Sequence, residues 1–159
     1  MCIIGITGVG ALSLGLNHAR AARRHRLEAR TDILSGLLNR RALFDTMTAQ
    51  DLEPGHAVVA FDLDDFKAIN DRHGHAIGDE ILRRFADALR MNLREGDLAA
   101  RIGGEEFVLV LKDSSFLLAT STAERVRAIF AQSRVETTNG LISGTASAGV
   151  ALVQNENES

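Results

Sequence analysis

The 159 residues carry 18 Lys and Arg against 21 Asp and Glu, a net charge of −3, and 45% of them are apolar; this is about one domain of chain with enough apolar material for a real core. The acidic balance, with no basic stripe interleaved with aromatics, excludes the electrostatic footprint of a nucleic-acid binder. Cys2 is the sole cysteine, so no internal disulfide can form, and without a Cys/His cluster the chain reads as resident in a reducing interior without structural zinc.

Residues 1–16 carry no charge and are followed by Arg20, Arg23, Arg24 and Arg26. The segment is shorter than the ~20 apolar residues of a full span, yet the arginines fit a cytoplasmic flank, which predicts the end of a membrane anchor; a signal-peptide core and an amphipathic leader compete with that reading. Gly5, Gly8 and Gly10 are not followed by Gly-Lys-Ser/Thr, which excludes a phosphate-binding P-loop. Residues 17–30 predict a charged helix leading into the domain. A helix over 39–50 carries Leu43, Phe44 and Met47, and Pro54-Gly55 marks the loop before the first strand. That strand, from Val58, ends in the acids Asp62, Asp64 and Asp65 and passes into a short helical pattern. His73-Gly74-His75 reads as a structural turn, since two histidines without a third ligand make a poor metal site. A helix over 76–93 puts Ile77, Ile81, Phe85 and Leu89 on one face, and a hairpin centres on Gly103-Gly104. A helix over 116–132 with Ala123, Val126 and Phe130 precedes a last strand over 145–152. This succession predicts an α/β sandwich with a central, mostly antiparallel sheet flanked by helices.

Two constellations carry chemistry. In Arg101-Ile102-Gly103-Gly104-Glu105-Glu106-Phe107 two acids follow a double glycine between strand-like runs. The glycines can take the positive φ of a two-residue hairpin turn, which sets Glu105 and Glu106 at the sheet's rim. Taken singly, such a tip is more often a solvated turn. Upstream, Asp62 still lies in the strand, where helix capping does not explain it, whereas Asp64 or Asp65 can cap the following helix. Mg²⁺ takes oxygen ligands, usually one or two carboxylates completed by water and substrate phosphates, and Asp62 with Glu105 and Glu106 would meet that demand.

These segments resemble the GGDEF domains, whose active members are diguanylate cyclases. The resemblance rests on Thr31-Asp32-Ile33-Leu34-Ser35-Gly36-Leu37-Leu38-Asn39-Arg40-Arg41, the segment from Phe61 to Asp79, the signature Gly103-Gly104-Glu105-Glu106-Phe107, and Thr145-Ala146-Ser147-Ala148-Gly149-Val150-Ala151, in the family's order over residues 31–152. It implies the palm-like fold of nucleotide cyclases and a nucleotidyl transfer that condenses two GTP into cyclic di-GMP and two pyrophosphates. It implies Asp62, the Leu63 backbone carbonyl, Glu105 and Glu106 as metal ligands for Mg²⁺ or Mn²⁺, two per site, with Glu105 and Glu106 catalytic. Asn70 and Asp79 would read the guanine, Lys67 would face the phosphates, and Gly103 and Gly104 would let GTP approach. Each has a plain structural alternative, as turn former, helix-start acid or solvated charge. A homodimer with opposed hairpins follows from the two-fold product.

Arg94-Glu95-Gly96-Asp97 stands where many family members bind their own product, so Arg94 and Asp97 are expected at an inhibitory, allosteric cyclic di-GMP site. The same residues also suit a helix C-terminus with Gly96 as cap. The expected organisation is an anchor over 1–16, a signalling helix over 17–30, a GGDEF domain over 31–152 and a polar tail over 153–159, working in the cytoplasm at the inner face of the membrane. After residue 152 the family continues with a helix and a strand carrying a lysine and an arginine on the triphosphate. Only the polar tail stands there in this chain, which predicts weaker phosphate neutralisation and uncovered apolar sheet costing several kcal/mol at about 25 cal/mol per Å². The alternative is therefore a catalytically inactive module that binds cyclic di-GMP or GTP as a regulatory domain.

Overall fold

The computed structural model describes residues 30–49 and 54–154. The expected anchor, all of the signalling helix but Arg30, and most of the polar tail lie outside the described residues. In chain order the elements are β1 (Leu38–Asn39), α1 (Arg40–Ala49), β2 (Ala57–Leu63), α2 (Phe66–His73), α3 (His75–Arg90), β3 (Leu98–Arg101), β4 (Glu106–Leu111), α4 (Phe116–Gln132), β5 (Val135–Thr137), β6 (Gly140–Ile142) and β7 (Ala146–Leu152). Five strands form one sheet in the order β1-β3-β4-β2-β7, and β5 with β6 makes a separate hairpin. The β1–β3 pairing is parallel and every other pairing in the main sheet is antiparallel, as the pattern of elements predicts.

β2 lies between β4 and β7, and its alternation divides the molecule. Ala57, Val59, Phe61 and Leu63 are at most 2% exposed and face α3 and α4. Phe85 of α3 is the hub of that side: its ring centroid lies 5.4 Å from Phe61, 4.8 Å from Phe107 and 5.0 Å from Phe130, in the tilted and edge-on geometries that aromatic quadrupoles favour. On the opposite face α1 covers only the β3–β4 half, where Leu43 packs with Ala100, Val108 and Val110. The β2–β7 half, with Ala60, Asp62, Ser147, Gly149 and Ala151, is exposed. Among the described residues no helix is long and apolar enough to cross a membrane.

Local chemistry sets several element ends. Asn39 Oδ1 accepts from the Ala42 N–H at 2.9 Å and opens α1; Ser115 Oγ accepts from the Leu118 N–H at 3.2 Å and caps α4. Three expectations change. α3 starts at His75 and ends at Arg90, with Gly74 at φ 85 breaking the chain between two helices. Asp65 occupies the N-cap position of α2 in a left-handed conformation, φ 53, but its side chain makes no cap bond, and Asp64 is engaged elsewhere. Finally, neither Gly103 nor Gly104 has a positive φ. The chain between β3 and β4 is a four-residue loop rather than a two-residue primed turn, so the double glycine does not serve backbone handedness, and Gly103 alone serves close approach, to the Glu106 carboxylate.

Candidate active site at the strand ends

Antiparallel pairing sets Asp62 of β2 directly opposite Glu106 of β4. The neighbouring Leu63 N–H donates to the Glu105 carbonyl at 3.2 Å, which makes the 62/106 position the non-hydrogen-bonded kind, where opposed Cα atoms come to about 4.5 Å and side chains are closest. Two carboxylates so opposed repel, and among the described residues no cation is paired with Asp62, Glu105 or Glu106. Asp62 and Glu106 border a groove of about 260 Å³ that Ala60, Ile102, Ser147 and Gly149 also line. The side chains do not converge: among the described residues no group of three or more His, Cys, Asp or Glu stands ready to hold a metal ion. The Glu106 carboxylate is instead folded over Gly103, where a Cβ would strike its Oε2. The donor set itself, carboxylates with no ion-paired cation among the described residues, is the chemistry a hard divalent cation requires.

Arg101 fixes the tip. Its guanidinium donates from Nε to the Gly103 carbonyl at 3.1 Å, from Nη2 to the Gly104 carbonyl at 2.7 Å, and from Nη1 to Asp32 at 3.2 Å. Burial works to raise the Asp32 pKa, but the Ser35 hydroxyl and N–H, with Arg101, outweigh it and hold the carboxyl below its ordinary value. Arg90 reaches the Ser35 carbonyl from α3, so the turn at 32–36 ties the hairpin tip to the helical layer. Sequence reasoning gave no role to this clamp; an arginine two residues before the double glycine is the signal that could have found it.

The acids after Asp62 have different tasks. Asp64 Oδ1 accepts from the Ser147 hydroxyl and Oδ2 from the Thr145 hydroxyl, both at 2.7 Å. These two bonds, Ser147 first, pull its pKa below the ordinary value, and Arg127 adds a smaller attraction. Lys67 is exposed and donates to Asp71 at 2.7 Å, a contact that raises the lysine's pKa. Asn70 is half-buried, and its Oδ1 is a buried side-chain polar atom with no hydrogen-bond partner. It lies against Gly78, where any Cβ would collide with it. Asp79 follows, half-buried in the second turn of α3. The missing side chain of Gly78, one residue before Asp79, thus makes room for the Asn70 amide between α2 and α3.

The Arg94–Asp97 loop is tightly wound. Asp97 Oδ2 accepts from the Arg94 N–H at 2.9 Å and its Nε at 3.4 Å, and Oδ1 accepts from the Lys112 N–H at 3.0 Å. The Asp97 side chain is 1% exposed and that of Arg94 51%. Gly96 turns the loop at φ 89.

An acid-bearing hairpin at the end of a mostly antiparallel sheet, beside an open groove on the sheet face, is an arrangement suited to nucleotide chemistry. The sequence profile described as "Diguanylate cyclase, GGDEF domain" matches residues 29–159, and the chain belongs to that family. It is 38% identical over 168 aligned positions to the uncharacterized protein YhcK of Bacillus subtilis, covering 98% of this chain and 46% of YhcK. It is 40% identical over 123 positions to diguanylate cyclase DosC of Escherichia coli K12, covering 72% of this chain and 26% of DosC. The chain therefore spans less than half the length of either relative. Among solved structures, the coiled coil and GGDEF domain of DgcB from Caulobacter crescentus, in complex with c-di-GMP, superposes with a TM-score of 0.78 at 25% identity, covering 91% of this chain and 82% of that one.

Proposed function

We propose that residues 31–152 are a diguanylate cyclase domain that condenses two GTP into cyclic di-GMP and two pyrophosphates. The observation that carries this reading is the uncompensated opposition of Asp62 and Glu106, an arrangement that repels by itself and is relieved by a cation. Enzymes of this family generally use divalent metal ions. Asp62, the Leu63 carbonyl and Glu105, with Glu106 alongside, would hold two Mg²⁺ or Mn²⁺. Such ions, when bound, lower a hydroxyl's pKa and neutralise charge on phosphates.

The chain's own residues divide the remaining work. The 3′-oxygen of one GTP forms a bond to the α-phosphorus of the other while the bond to the pyrophosphate breaks, and Glu105 is assigned to the attacking hydroxyl. Gly104 keeps the rim open where the phosphates approach, and Gly103, now covered by the Glu106 carboxylate, would open to them when that carboxylate turns to a cation. Lys67 would reach them by leaving Asp71. Asn70 and Asp79 are assigned to the guanine edge: the unpartnered Asn70 oxygen costs about 1–3 kcal/mol while it lacks a donor, and guanine's N1 and N2 hydrogens would supply one. A two-fold product from one GTP per chain requires two chains with opposed hairpins. For product inhibition, Arg94 is the exposed group that would reach cyclic di-GMP, while Asp97 shapes the loop beneath it. The reaction belongs in the cytoplasm, with residues 1–16 assigned as a tether to the inner face of the membrane.

A second reading is favoured by the failure of the carboxylates to converge: an inactive module that binds cyclic di-GMP or GTP. Incubating the full chain with GTP and Mg²⁺ and assaying for cyclic di-GMP separates the two. The expected result is product from the wild type and none from Glu105→Ala. No product from either, with cyclic di-GMP binding that is lost in Arg94→Ala, would favour the inactive module.

A further inference from the structure

We propose that Asp64, though it sits in the acid-rich strand end, is a positioning residue that latches the proposed cation-bearing residues Asp62 and Leu63 to β7, and that Thr145 and Ser147 are its partners. The proposal rests on the cyclase reading for what is positioned. Its own basis is the bonding of Asp64.

Both carboxylate oxygens of Asp64 are occupied, one by each hydroxyl, at 2.7 Å. Its main-chain N–H also donates to the Thr145 carbonyl, at 2.9 Å. Three bonds thus join the residue that follows β2 to Ser147 of β7 and to Thr145 just before that strand. On the other flank Leu63 N–H holds the Glu105 carbonyl. Asp62 and Leu63, in register with Ser147 and Ala146, are therefore restrained from both neighbouring strands. A restraint is needed there, because β2 leaves the sheet at Leu63 and Asp65 turns the chain into α2 with φ 53. Strand ends without such ties fray, and a one-residue slip would send Asp62 to the buried face.

The anchor on β7 is itself fixed. Arg127 of α4 donates from Nε to the Ala146 carbonyl at 2.6 Å and is held by both Glu124 oxygens at 2.7 and 2.9 Å. Helix α4 therefore pins the residue between Thr145 and Ser147, and the hydroxyls on either side pin Asp64. A carboxylate whose oxygens each take a charge-assisted hydrogen bond from a fixed donor is poorly placed to turn towards an ion as well. The same bonds make it well suited to hold the group that does, as the outer partners of metal ligands do.

The test uses the full chain and Mn²⁺ as probe, with binding read from the loss of the free ion's paramagnetic resonance signal and thermal unfolding recorded for each variant. Asp64→Ala and the pair Thr145→Val with Ser147→Ala are each expected to weaken Mn²⁺ binding about 10-fold, and the triple variant no further than either. Asp64→Asn keeps both contacts, because the hydroxyls can turn to accept from its amide, and is expected to stay within about 3-fold of the wild type. Wild-type affinity in the Thr145/Ser147 variant, or a loss in Asp64→Asn as large as in Asp64→Ala, overturns the latch. A wild type that binds no Mn²⁺ overturns the cation reading, and the latch with it, so the two failures are told apart.

Discussion

The two faces of β2 differ as sharply as any regions of this molecule. On one, Val59, Phe61 and Leu63 meet the helical layer and the Phe85 ring cluster with almost no surface left to water. On the other, Ala60 and Asp62 look into an open groove shared with Ser147 and Gly149. A strand's period of two places these environments one residue apart. The same backbone can thus be held rigidly by apolar packing while it presents a carboxylate that no described residue neutralises. Stability and chemistry are separated by face.

If that separation holds, the two faces must respond to different measurements. Phe85→Ala on the packed face removes the shared ring of three aromatic contacts and should lower unfolding free energy by about 3–5 kcal/mol, read by denaturant titration. Unfolding at the wild-type denaturant midpoint would break the comparison. A smaller effect is expected where the two helices meet beside the site. A Cβ at Gly78 collides with the Asn70 amide, and such overpacking costs typically about 1–3 kcal/mol. Gly78→Ala should therefore lower stability and raise the KM for GTP together. Gly104→Ala, whose Cβ meets nothing within 4 Å, should leave stability within about 0.5 kcal/mol. Equal stability losses in the two would show that the gap beside Asn70 is not formed by the missing side chain.

The packed face was legible in the sequence because burial leaves a periodic trace: Ile81, Phe85 and Leu89 recur at helical spacing, and all three are fully buried. The acids of the site were legible as a motif, and Asp62 stood out because it precedes the end of its strand. What the chain did not disclose were long-range choices. Asp64 and Asp65 look alike beside the start of α2, yet one bonds across 81 and 83 residues to Thr145 and Ser147 and the other adopts a left-handed cap without a side-chain bond. The same holds for Arg101, whose partner Asp32 is 69 residues away. The short strands β1, β5 and β6 escaped too, since two or three residues carry no periodicity. At the hairpin tip, local turn statistics predicted a handedness that the glycines do not use.

The most discriminating change is small in energy. Asp62 and Glu106 face each other across a non-hydrogen-bonded pair without a counter-charge among the described residues, and like charges so placed cost about 0.2–1 kcal/mol. Asp62→Asn should therefore make the chain more stable by about that amount in chelator-treated, low-salt buffer, while abolishing cyclic di-GMP formation. Salt should shrink the gain, because at about 0.1 M the screening length is only about 10 Å. Added Mg²⁺ should reverse it, since an ion that binds the folded chain stabilises the wild type by mass action and the variant has lost a ligand. A chain in which Asp62→Asn is destabilising without Mg²⁺, or in which Mg²⁺ shifts wild type and variant alike, would mean that the opposed acids carry no strain for a cation to relieve. The open face would then be a solvated surface, and its contrast with the packed face would have no bearing on catalysis.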